Sequence, residues 1–145
     1  MAPDQAGDHD QHMSSPLRRG QRWPIYPVRV LCLLLAALVL TQAALAGGFI
    51  SGHVALLGIH SANAILIALI ATVLVPCTAL LVRPGRGPWW PVPASAGLWI
   101  LIVTQIGLGY GRVLQGHVPL GMSIFGVLAV LTVWSFRYRP KWTGA

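Results

Sequence analysis

The chain has 145 residues, of which 55% are hydrophobic and 9% charged, with a formal net charge of +7. A hydrocarbon core about 30 Å thick takes about 20 apolar residues per helical span, and four stretches here reach that scale, which excludes an ordinary water-soluble domain. Nucleic acid is not expected as a partner of the positive charge, because the basic residues lie in the segments between apolar stretches and build no folded basic face.

Residues 1–22 (MAPDQAGDHDQHMSSPLRRGQR) are polar and hold all the acidic residues, Asp4, Asp8 and Asp10. Such a composition predicts a disordered tail. His9 and His12 within it are read as solvated, since nothing organises a closed metal site around them. Met13 is a second candidate for the start of translation beside Met1. Arg18 and Arg19 before an apolar run ending Ala44-Leu45-Ala46 look superficially like a secretory signal. The run exceeds the usual length of one, about 7–15 residues, and cleavage would remove Gln42, so a retained first helix is the preferred reading.

Four uncharged runs follow, at about 30–50, 54–82, 94–111 and 118–136. The third is shortest, roughly 27 Å at about 1.5 Å per residue, and has room to start earlier, within Pro91 and Pro93. Pro76 is expected to kink the second span and Pro119 to sit in the first turn of the fourth, placing that helix start near His117. Between the second and third spans, 83–93 (RPGRGPWWPVP) is too rich in Pro and Gly to be helical and reads as a loop. The predicted fold is all-α: a four-transmembrane-helix bundle of two hairpins, spanning 23–139, followed by a short tail at 140–145.

Arg18, Arg19, Arg22, Arg29, Arg83, Arg86, Arg137, Arg139 and Lys141 fall on one side of these spans and only Arg112 on the other. That bias predicts a cell-membrane protein with both termini cytoplasmic. Trp23, Tyr26, Trp89, Trp90, Trp134 and Tyr138 lie at the inner ends and read as an interfacial belt. Cys32 and Cys77 fall on the reducing side and are expected to be small buried hydrophobes without a disulfide.

A weak internal repeat joins the two halves. Thr41-Gln42, Leu45 and Gly48 recur at an offset of 63 as Thr104-Gln105, Leu108 and Gly111. The same offset pairs Ala44 with Gly107, so both odd-numbered helices carry a small-x-x-x-small step, read as close packing between helices or against a partner. For the histidines, depth selects between His53 and His60. His60 stands about 34 Å of helix from Arg83 and His117 about 30 Å from Arg137, whereas His53 stands about 45 Å from Arg83, outside the hydrocarbon. His60 and His117 are therefore the expected pair, with His53 as the alternative and a six-residue longer outer loop in the first half. Each has a small residue one turn on, Ala64 or Gly121, and Ala68 and Ala71 extend the stripe below His60.

Two histidines facing each other in a bundle are candidate axial ligands of a haem b iron. Gln42 and Gln105 accompany them, and Arg112 is a cation for haem propionates or lipid headgroups. The competing reading makes His60, Asn63, Gln42 and Gln105 interhelical hydrogen-bond glue. No carboxylate lies in the spans, which removes paired acid/base chemistry and leaves no expectation of an enzyme. Gly109-Tyr110-Gly111 ends a span without a preceding strand and is not a nucleotide loop.

Gln105-x-x-Leu108-Gly109 before His117, with His60 in the second helix, resembles the four-helix half-unit of haem A synthase-type proteins. Gln42-Ala43-Ala44-Leu45-Ala46-Gly47 and His60-Ser61-Ala62-Asn63-Ala64 are also similar to small bacterial four-helix integral membrane proteins. The first resemblance implies haem near the outer face, held by His60 and His117. A synthase would have a second four-helix half and an acidic residue near a histidine, and this chain has neither, so the resemblance implies haem binding for electron transfer or haem handling rather than catalysis. The alternative is a non-enzymatic small membrane subunit or assembly partner, working in the lipid bilayer with a membrane-protein partner or as a homo-oligomer.

Overall fold

In a computed structural model, residues 24–139 are described. The predicted tails at 1–22 and 140–145 lie outside them, as do Trp23, Arg18, Arg19, Arg22 and Lys141. Four helices follow in order: α1 (Ile25–Ile50), α2 (Leu56–Val82), α3 (Pro91–Tyr110) and α4 (Leu114–Arg137). All four are long and apolar enough to cross a membrane. Helices suit that medium because every backbone donor and acceptor in lipid must be met within the chain. The protein is an all-α, multi-pass integral membrane protein.

α1 packs on α2 and α4, and α3 packs on the same two, so α1 and α3 stand diagonally opposite, as do α2 and α4. Both ends of the described chain and the 83–90 loop lie at one end of the bundle, here the terminal end. The turns at 51–55 and 111–113 lie at the other, the turn end. All four helix starts depart from the uncharged runs; α1 begins at Ile25 rather than about 30 and α2 at Leu56 rather than about 54. α3 begins at Pro91, because Pro at the first helical position lacks only a hydrogen that would be unpaired there. α4 begins at Leu114, three residues before His117, since the 111–113 turn closes tightly around Arg112 at φ 57. Pro119 consequently falls in the second turn. Pro76 lies inside an α2 that runs unbroken to Val82.

The buried core occupies the terminal half. It comprises Ile25, Val28, Cys32 and Leu35 of α1, Ile67, Ala71, Leu74, Thr78 and Leu81 of α2, Pro91, Ser95, Leu98 and Ile102 of α3, and Ile124, Leu128, Leu131 and Ser135 of α4. Val28, Cys32 and Leu35 advanced by 63 are Pro91, Ser95 and Leu98, while Ile67, Ala71, Leu74 and Thr78 advanced by 57 are Ile124, Leu128, Leu131 and Ser135. Corresponding helices thus present corresponding faces inward. One set, Cys32, Thr78, Ser95 and Ser135, gives each helix one small buried side chain, a hydroxyl in all but the first, and the Thr78 and Ser95 hydroxyls hydrogen-bond at 2.8 Å across α2 and α3. Cys32 and Cys77 are free, the first buried and the second packed partly against the core.

At the terminal end Arg29 closes α4. Its Nε donates to the Ser135 carbonyl at 3.0 Å and its Nη2 to the Tyr138 carbonyl at 3.2 Å, satisfying acceptors that a helix end leaves unpaired. The guanidinium also lies 5.6 Å from the Tyr26 ring centre and 5.5 Å from that of Phe136. Only part of the expected aromatic belt faces outward. Tyr26 and Trp89 are exposed, but Trp90 meets Trp134 edge to face at 4.6 Å and Trp134 stacks on Tyr138 at 5.2 Å.

Candidate functional site

Toward the turn end no residue beyond Leu35, Ile67, Ile102 and Ile124 is fully buried. The amide and imidazole side chains of the spans gather there. Gln42 and Gln105 come down from α1 and α3, and His60 and His117 sit in the first turns of α2 and α4. The six-residue offset difference between the halves is not one long loop. Three residues lie in the longer α1 after Gln42, two in the 51–55 turn against 111–113, and one in the position of the histidine within its helix.

The two imidazoles are neighbours, with ring centroids 6.3 Å apart and planes inclined at 47°. Each is held the same way. His60 Nδ1 lies 3.2 Å from the Gln42 carbonyl and His117 Nδ1 lies 3.0 Å from the Gln105 carbonyl. A carbonyl only accepts, so each bond requires the tautomer with hydrogen on Nδ1 and leaves the Nε2 lone pair free. Metal-binding histidines are commonly oriented in this way, by a backbone acceptor on the far nitrogen. The structure brings His60 and His117 together and leaves His53 exposed in the turn, where its backbone nitrogen bonds the Gly48 carbonyl at 3.1 Å.

Around this shared pattern the halves differ. Gln42 is tied in twice: Nε2 donates to the His60 carbonyl at 3.0 Å and Oε1 accepts from Asn63 Nδ2 at 2.6 Å. Asn63 Nδ2 also reaches the Leu38 carbonyl at 3.0 Å. In α4 the position matching Asn63, at the offset of 57, is Leu120. The buried Gln105 Oε1 accordingly has no hydrogen-bond partner among the described residues.

Small residues make the space. A Cβ on Gly109 would lie 3.1 Å from His117 Cε1 and 3.3 Å from Nδ1, and one on Gly121 would lie 2.9 Å from Gln105 Nε2. Gly121 was legible as the small residue one turn past His117. Gly109, four residues after Gln105 on the same α3 face, stood in the Gln105-x-x-Leu108-Gly109 motif without a packing role assigned to it. The predicted close-packing steps behave differently. Gly48 does meet the Leu56 side chain, but Ala44 and Gly107 are exposed and a Cβ on Gly107 would meet nothing within 4 Å. Within one chain, then, the Ala44/Gly48 and Gly107/Gly111 steps do not form a matched pair of helix contacts, because their shared face on α3 turns outward.

Arg112 is exposed in the turn five residues before His117, its backbone nitrogen donating to the Gly109 carbonyl at 3.1 Å. Among the described residues no three His, Cys, Asp or Glu side chains converge. A bare zinc ion takes three or four protein ligands, so this pair does not complete such a site. A porphyrin brings four nitrogens of its own and asks the protein for two axial ligands at most. His60 and His117, with ring centroids 6.3 Å apart, are the two side chains that could hold such a group.

Comparison with protein-family models, with curated proteins and with solved structures finds no match to this chain.

Proposed function

We propose that this membrane protein holds a haem b between His60 and His117 and serves one-electron transfer or haem handling. The observation that carries the reading is the pair of imidazoles, adjacent in the open half of the bundle, each with Nδ1 fixed on the carbonyl of a matching glutamine and Nε2 free. The residue pattern shared with haem A synthase-type half-units points the same way. Haem would supply a reversible one-electron iron couple, and His60 and His117 would be the residues that hold it.

The chain's own residues divide the work. The Gln42 and Gln105 carbonyls set the tautomer and aim of the rings, Asn63 locks Gln42, Gly109 admits the His117 ring and Gly121 admits the Gln105 carboxamide. Arg112 is the cation available to carboxylates at the turn end. We read the two hairpins as an internal repeat on the evidence of their matched buried faces. Arg29, Arg83, Arg86, Arg137 and Arg139 at the terminal end against Arg112 at the other favour cytoplasmic termini and an outward-facing site.

Visible spectra of the purified protein test this reading. A Soret band is expected that is lost in both H60A and H117A and kept in H53A. Colourless protein from haem-supplied cells, folded and monodisperse, refutes it. The second reading, a cofactor-free subunit or assembly partner, is favoured by the self-contained Gln42–Asn63–His60 hydrogen bonds. Colourless folded protein is the result it requires.

A further inference from the structure

The two glutamines do matching work with their backbones and unlike work with their side chains. Gln42 spends its carboxamide inside the protein, on the His60 carbonyl and on Asn63. The Gln105 carboxamide lies against Gly121, and its buried Oε1 finds no donor among the described residues. In lipid an unmet polar group costs several kcal/mol, since no water is at hand. The atom left over is an acceptor, so whatever completes it must bring a hydrogen. A carboxylate, an ether or a carbonyl cannot. Beside it the amide Nε2 offers a donor. A group that presents one donor and one acceptor side by side meets both, and does so for either orientation of the amide. A neutral carboxylic acid is such a group: its O–H donates to the amide oxygen while its C=O accepts from the amide N–H. Burial away from water also favours the neutral form of a carboxylic acid over the ionised one.

We propose that Gln105, its carboxamide seated against Gly121 and without the internal donor that Leu120 replaces, binds a protonated carboxylic acid group of the molecule seated beside His117. This rests on the haem reading in naming haem propionic acid as the first source of that group. A free fatty acid from the bilayer is the second, with the same chemistry. The site would then be polar in one sense only, recognising its ligand from the second hairpin while the first serves as scaffold.

The test titrates purified protein in detergent with haem b and with haem b dimethyl ester, which keeps the iron and lacks the acid hydrogen. Wild-type protein is expected to bind the acid about tenfold or more tightly than the ester, the worth of two neutral hydrogen bonds. Gln105→Leu should abolish the preference. Leu120→Asn should abolish it too, by giving Gln105 the internal donor that Gln42 has, and because this variant keeps Gln105 and adds a hydrogen bond it guards against a misfolded Gln105→Leu. Equal affinity for acid and ester in wild type, or a preference that survives in Gln105→Leu, overturns the proposal. If wild type binds neither haem, the haem reading fails and the fatty-acid arm decides. Thermal protection by oleic acid over methyl oleate, absent in Gln105→Leu, supports the carboxylic-acid site; no such difference overturns it.

Discussion

Two glycines one half-turn apart on α3 separate what packs from what positions the site. A methyl group at Gly107 would meet no heavy atom within 4 Å, whereas one at Gly109 would come within 3.1 Å of His117 Cε1 and 3.3 Å of Nδ1. Both positions lie inside α3, so each Gly→Ala change gains about 0.8–1.0 kcal/mol of helix propensity. At Gly109 the imidazole must retreat by a few tenths of an ångström, and its bond to the Gln105 carbonyl starts at 3.0 Å. Stretching it toward about 3.3–3.5 Å takes it to the edge of hydrogen bonding and forfeits about 0.5–1.5 kcal/mol. The propensity gain and the lost bond then nearly cancel in Gly109→Ala, while Gly107→Ala is stabilised by about 1 kcal/mol. On the proposed haem reading, affinity for haem separates the two variants further. Loosening the group that orients a metal-binding histidine typically costs 10–100-fold, so Gly109→Ala should bind about that much more weakly and Gly107→Ala as wild type. Denaturant unfolding in mixed micelles reads the first difference and Soret titration the second. Nitrogen NMR of His117 follows the Nδ1 hydrogen directly, with or without haem. If the two variants are indistinguishable in stability and in the His117 spectrum, His117 is not pinned as the structure places it.

Asn63→Leu should destabilise by about 1–2 kcal/mol, since it removes two hydrogen bonds between α1 and α2 at about 0.6 kcal/mol each and leaves Gln42 Oε1 without a donor; unfolding in detergent checks it, and an unchanged midpoint refutes the network. Arg29→Met should cost about 1–2 kcal/mol by freeing the Ser135 and Tyr138 carbonyls, with amide exchange speeding up in the last turn of α4 before any other helix. Tyr138, just beyond α4, has its phenol pushed above the ordinary value by burial. Its folded form holds the proton more tightly than the unfolded chain, so its contribution is complete below about pH 10 and lost as pH rises through the folded pKa. A pH titration of stability should fall more steeply above pH 10 in wild type than in Tyr138→Phe.

The four spans were legible because uncharged length alone identifies a helix that crosses lipid. The choice of His60 over His53 was legible because helical rise converts residue number into depth. What escaped was rotation about the helix axis. A spacing of four says that Ala44 and Gly48, or Gly107 and Gly111, share a face, but not that the α3 face turns outward. Position at a span end likewise does not say whether a ring faces the bilayer or a neighbour, so Trp90, Trp134 and Tyr138 read as a belt and prove to be a cluster. The Asn63/Leu120 difference lay within the offset of 57 that the His60/His117 and Ala64/Gly121 pairs already set, but its meaning waited for the structure, in which Asn63 donates to Gln42 Oε1.

That difference bears on why the bundle is built in two unlike halves along its length. The terminal half carries every fully buried residue in the membrane-spanning helices and the matched faces of the four helices, so it carries the burial that holds the fold. The turn half carries His60, His117, Gln42, Gln105, Gly109 and Gly121, none of them fully buried. Substitutions at the site therefore act away from the packing that keeps the helices together, and their effects on binding can be measured on folded protein. A bundle that used its polar residues only as glue would gain by satisfying Gln105 as it satisfies Gln42, and one residue at position 120 would do so. Leucine at position 120 leaves the Gln105 acceptor without a donor among the described residues, a cost in stability that the proposed ligand would recover.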